Sequence, residues 1–160
     1  MYITFDEYTA LYGPIEERDF NRFAFEACRT VDKLTAGVDG VKKLKVAFPI
    51  DEDDAASVRH CVAKVINLLY QIQEAEKSAF LARGYTKTEN GVQGKVVSSV
   101  TAGNESISFA AGGGATVVDK AIADLSERNR LIDSVVLDSL SGVTDANGVN
   151  LLYMGVYPCV

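Results

Sequence analysis

Apolar side chains recur at intervals of three and four residues along most of this chain, so helices are expected before strands. A short first helix is expected after Thr4. There Thr4 and Glu7 make a capping box, Ile3 and Tyr8 occupy the two positions of a hydrophobic staple, and Gly13 supplies a stop. Pro14 then opens a second helix whose Glu16, Glu17 and Asp19 suit the positive end of a helix dipole. Its stripe is Phe20, Ala24, Ala27, Cys28, Val31 and Leu34, and Gly37 is its expected cap. Residues 38–48 are too mixed for a periodic element and read as a connector with at most one helical turn.

After Pro49 the acidic run Asp51-Glu52-Asp53-Asp54 caps the longest helical pattern. Its stripe carries Val58, Cys61, Val62, Val65, Leu68, Leu69, Ile72, Ala75 and Ala79, and Gly84 ends it. The polar residues 85–94 show no helical stripe. The period then changes. Residues 95–101 and 105–109 are rich in Val, Ser, Thr, Ile and Phe around the turn Ala102-Gly103-Asn104, which predicts a β-hairpin. A joint at Gly112-Gly113-Gly114 precedes a last helix, capped near Thr116, carrying Val118, Ile122, Leu125, Ile132 and Val136 and closed by Gly142. The expected fold is mainly α: a small helical bundle over residues 1–142 with an inserted β-hairpin at about 95–110, followed by an extended apolar tail over residues 143–160. With the core stripes all upstream, removal of residues 150–160 is expected to leave a folded protein.

Composition narrows the function more than the fold. At 160 residues the chain suits one cooperative core, and 48% apolar with 24% charged residues is ordinary for a globular protein. Sixteen Lys and Arg against 22 Asp and Glu leave a formal charge of −6, which argues against a surface that coats nucleic acid. No stretch approaches a membrane span, and residues 1–6 lack the layout of a secretion signal, so a chain kept in the cytosol is expected.

Candidate chemistry is sparse. Cys28, Cys61 and Cys159 are widely spaced, and His60 is the single histidine, so neither a metal set nor a thiol–imidazole pair is expected. The triple glycine lacks the lysine of a phosphate loop, Lys120 being too far from Gly114, and the run 51–54 lacks the alternation of a calcium loop. Lys42, Lys43 and Lys45 read as a solvated loop, Asn104-Glu105-Ser106 as a glycosylation triplet without meaning in an unsecreted chain. No catalytic residue, metal or cofactor is expected. The apolar tail is the informative part: Tyr153 and Tyr157 are aromatic anchors suited to a partner.

Several strings resemble the small head–tail connector (adaptor) proteins of long-tailed bacteriophages and prophages. They are Tyr2-Ile3-Thr4-Phe5-Asp6-Glu7-Tyr8, Phe20-Asn21-Arg22, Val31-Asp32-Lys33-Leu34-Thr35, the hairpin string from Val97-Ser98-Ser99-Val100 through Asn104-Glu105 to Ser106-Ile107-Ser108-Phe109, and Leu151-Leu152-Tyr153-Met154-Gly155-Val156. The resemblance implies a virion neck subunit, assembled in the host cytoplasm, that makes no bond and breaks none. It would join copies of itself in a dodecameric ring, stack on the portal protein and offer a docking surface to a tail-side stopper or tail-completion protein. DNA would pass through the ring without sequence-specific binding, past carboxylates that repel its phosphates, and no membrane would be involved. By the same analogy Leu151, Leu152, Tyr153, Met154, Val156 and Tyr157 would engage the portal. The hairpin residues Val97, Val100, Ile107 and Phe109 would touch a neighbouring subunit. Two other readings stay open: a small cytosolic regulator or enzyme subunit binding an anionic ligand, and a tail-terminator or completion protein.

Overall fold

The computed structural model describes the backbone of residues 1–82, 85–88, 91–94, 100–102, 105–107, 121 and 124–158, and the side chains of residues 1–77, 121 and 124–158. The chain is mainly helical. It divides into two compact units, residues 1–70 with 129–160, and residues 71–128.

The first unit begins with α1 (Phe5–Tyr12), set by its capping box: the Thr4 hydroxyl accepts the Glu7 N–H at 3.2 Å and the Glu7 carboxylate accepts the Thr4 N–H at 2.7 Å. Those bonds hold the Glu7 carboxyl below the usual carboxylate range. Gly13 ends the helix at φ 86°, a left-handed conformation that L side chains resist. The staple residues Ile3 and Tyr8 are both buried, and the Tyr8 ring packs 5.5 Å from Phe20.

Helix α2 (Glu17–Leu34) buries Phe20, Phe23, Ala24, Ala27 and Val31 on one face. Cys28 and Leu34, expected in that stripe, are only half-buried: Cys28 lies beyond the edge of the buried arc, and Leu34 is the last residue of the helix. The helix stops at Leu34 with Thr35 as its cap, two residues before the expected Gly37. Asp32, buried at the end of α2, accepts the Tyr2 hydroxyl at 2.5 Å and lies 3.4 Å from Lys45, which neutralises its charge. Lys45 belongs to α3 (Lys43–Val46), the single turn inside the connector.

Helix α4 (Glu52–Ala82) starts where Asp51 accepts the N–H groups of Asp53 and Asp54, each at 3.1 Å. Between Cys61 and Ile66 every position but Lys64 is buried, so this stretch runs through the core rather than along its surface. The side chain of Ala79 lies outside the described residues. Helix α5 (Leu125–Ser139) begins with Asp124 accepting the Ser126 N–H at 2.8 Å. Ile132 and Val136 are buried as expected, joined by Leu140, whereas Leu125 sits in the exposed first turn. Val118 and Ile122 lie outside the described residues. Gly142, at φ 82°, closes this stretch.

In the second unit, residues read as featureless polar sequence form two strands: β1 (Tyr85–Thr88) pairs antiparallel with β2 (Gly91–Gly94). β3 (Val100–Ala102) pairs antiparallel with β4 (Glu105–Ile107), with Val100 opposite Ile107. The rest of the expected hairpin, including Val97 and Phe109, lies outside the described residues. Within this unit Arg128 approaches Glu76 at 3.7 Å. No described helix is long and apolar enough to cross a membrane.

Candidate functional site

Residues 143–158 do not trail from the first unit; they are laced into it. A helical turn at α3 points Lys43 inward, and its ammonium donates to the carbonyl oxygens of Leu151 at 2.9 Å, Asn150 at 3.2 Å and Tyr153. Three donors thus meet three acceptors, which is what a buried ammonium requires. Burial pulls Lys43 below the ordinary lysine range, while the charges of Asp145 and Asp39 act in the opposite direction.

Aspartates complete the clasp. Asp39 accepts the Tyr157 N–H at 2.9 Å and the Val41 N–H at 3.1 Å, and these bonds hold its carboxyl below the usual range. Asp145 accepts the N–H groups of Asn147 and Val149, each at 2.9 Å, and receives the Tyr157 hydroxyl at 2.5 Å. Burial first, and that bond next, push the Tyr157 phenol up. Asp54, from the first turn of α4, accepts both the N–H and the hydroxyl of Thr144, at 3.0 and 2.8 Å. Gly37 matters here: a Cβ on it would come within 2.7 Å of the Gly155 carbonyl oxygen, so only glycine lets the two segments touch.

The clasp sorts the expected tail contacts into two sets. Leu151 and Tyr157, both expected among the portal-facing residues, are buried within the chain, and Leu152 is half-buried against the core. The reason is physical: a turn-rich segment with so many polar groups finds its partners along the connector and α4, and those bonds carry Leu151 and Tyr157 inward with it. Tyr153, Met154 and Val156 point outward. Gly37 against Gly155 and Asp39 against Tyr157 bring Val38, the residue between them, alongside this segment. These four side chains are between 52% and 71% exposed, an apolar tip fixed from beneath by polar bonds. The Tyr153 ring stands with its centroid 5.7 Å from the Lys43 ammonium.

Val38 and the three clasping side chains Lys43, Asp39 and Asp145 are the residues that sequence patterning misses. Lys43 sits between Lys42 and Lys45 with nothing in its spacing to mark it as buried. Asp39 and Asp145 stand in Asp-Gly and Asp-x-Asn-Gly strings, which announce turns but not distant partners.

The chemistry elsewhere is quiet. Cys61 is buried, its thiol pushed up to about 12 by desolvation, and burial likewise raises the half-buried Cys28. His60 is exposed on α4. Among the described residues no group of three or more His, Cys, Asp or Glu side chains is placed to hold a metal ion. No protein-family model matches the chain, and no curated protein or solved structure matches it either.

Proposed function

We propose that this chain is a structural subunit of a bacteriophage head–tail junction, a connector of the kind its sequence strings resemble, with no reactive centre. The observation that carries the reading is the clasped tip: Val38, Tyr153, Met154 and Val156 are held outward by a set of buried and partly buried polar bonds. A fold that spends a buried lysine and three aspartates on fixing a few exposed apolar side chains has the character of a docking surface. In this reading the helices of the first unit form the bundle of a neck protein, the tip meets the portal, and an inserted hairpin over residues 95–110 reaches a neighbouring subunit of the ring.

The test uses the portal protein that this reading expects to be encoded beside this gene. Its binding to the full-length chain is compared with binding to a Tyr153→Ser, Met154→Ser, Val156→Ser variant by native mass measurement and titration. Loss of an aromatic anchor and its two neighbours weakens docking at least about tenfold, equivalent to about 1.4 kcal/mol. Undiminished binding of the variant overturns the assignment of the tip. A coding gene set among metabolic genes rather than portal, capsid and tail genes removes the reading altogether.

A further inference from the structure

The outer face of α2 carries a second surface that the tip does not use. Phe25, Arg29 and Lys33 follow one another at helical intervals along that face, and Ala36, just past the helix end, and Lys42 from the connector add to their far end. Together they line an open groove of about 670 Å³. Its aromatic side chain is 65% exposed, with the Arg29 guanidinium 5.7 Å from the ring centroid. Among the described residues no ion pair engages Arg29, Lys33 or Lys42. Glu26 is the one exposed carboxylate of the groove, since the Asp32 carboxylate is buried and held by Tyr2 and Lys45. A cationic, aromatic groove on a chain of formal charge −6 is a local reversal of sign.

The matching chemistry is on the same chain. Ile50, 82% exposed, leads directly into Asp51, Glu52 and Asp53, all exposed at the start of α4. Asp51 is engaged in capping, and Glu52 and Asp53 form no ion pair among the described residues. A protruding aliphatic side chain followed by carboxylates is the complement of an aromatic floor bordered by cations.

We propose that the groove of Phe25, Arg29, Lys33 and Lys42 receives the Ile50–Asp53 segment of a second copy of this chain, in a head-to-tail contact. Because groove and plug are different patches, each copy keeps one of each free, and the contact propagates until a ring closes or a filament forms. Charge complementarity selects this occupant over nucleic acid. A phosphate backbone is repelled by the chain's net charge and by Glu26, and it offers nothing for Phe25 that Ile50 does not. The inference rests on reading the chain as a self-associating subunit and specifies the surfaces by which it associates.

The experiment is a charge swap on the full-length chain. A groove variant, Arg29→Glu with Lys33→Glu, has an acidic groove and an acidic plug; a plug variant, Glu52→Lys with Asp53→Lys, has a basic groove and a basic plug. All four positions are exposed, and circular dichroism and thermal melting verify that each variant folds. In sedimentation velocity the native chain associates as its concentration rises, and less strongly in high salt, where the screening length falls from about 10 Å at 0.1 M to about 3 Å at 1 M. Each variant alone associates at least tenfold more weakly, and an equal mixture of the two restores association, because both pairings in the mixture join opposite charges. The inference is overturned by a native chain that stays monomeric throughout, by variants that associate like the native chain, or by a mixture no better than its components. It is equally overturned if the groove variant loses affinity for a DNA duplex while its self-association is unchanged, which identifies nucleic acid as the occupant. A failed charge swap with portal docking intact removes the groove and leaves the connector reading; restored association without portal docking supports the groove and removes the connector.

Discussion

The two ends of this chain are both fastened to the first unit, and by opposite means. At the N-terminal end everything that matters lies within a few residues: Thr4 and Glu7 satisfy one another, and Ile3 and Tyr8 drop into the core on either side of the cap. At the C-terminal end the fastenings cross the chain, with Lys43 reaching Leu151 over 108 positions, Asp39 reaching Tyr157 over 118 and Asp54 reaching Thr144 over 90. A local cap is formed as soon as its helix forms. A long-range clasp forms only once the core has brought its halves together, since the entropy of closing the intervening chain must first be overcome. The difference teaches that the exposed tip is a product of the whole fold, whereas α1 is specified in place.

The comparison breaks most visibly if the C-terminal segment is cut away. A chain ending at Gly142 loses the buried Val143, Leu151 and Tyr157, each contributing about 1.5–3 kcal/mol, and strips Lys43 of its acceptors. The sum is comparable with the whole stability of a small domain, so the truncated chain is expected to lose its cooperative thermal transition. A sharp melt near that of the full chain would show the segment to be an appendage after all.

Lys43→Met sharpens the comparison at one atom. It keeps the apolar stem but leaves three carbonyls without their donor and two aspartates without their cation. Denaturant unfolding is expected to show a loss of about 2–3 kcal/mol. Hydrogen exchange is expected to quicken at the amides of Leu151 and Tyr157 while those of α1 keep their protection relative to global unfolding. Uniform acceleration at both ends would deny that the clasp is a separate fastening.

The smallest effect belongs to the local end. Thr4→Ala removes the hydroxyl that accepts the Glu7 N–H and is expected to lower stability by about 1 kcal/mol. Exchange is expected to quicken in α1 and not in residues 143–158. A larger cost, or one that spreads to the clasp, would mean that the two ends are coupled.

These differences explain what the sequence discloses. The Thr4 cap, the stop at Gly13, the Asp51 cap and the buried stripe of α4 are all readable because cause and effect lie within a turn or two of helix. Leu125 misleads for the same reason: its spacing fits the stripe of Ile132 and Val136, but Asp124 starts the helix so that Leu125 falls in its exposed first turn. β1 and β2 go unseen in a search for helical stripes, although Thr86, Lys87 and Val92 tolerate extended backbone and Asn90-Gly91 is a hairpin turn signal. The apolar tip needs more than local rules. Tyr153, Met154 and Val156 differ from Leu151 and Tyr157 in nothing that hydropathy records, and only the grip of Lys43, Asp39 and Asp145 decides which of them face the core.

That grip has a consequence for how the surface changes over generations. Lys43 holds oxygen atoms that every amino acid supplies, and Asp39 holds an amide that every residue but proline supplies. Residue identity at 153, 154 and 156 is therefore decoupled from anchorage: substitutions there redraw the outward relief while its footing stays put. A partner that drifts can be followed by mutation at these three positions without the fold having to be rebuilt beneath them.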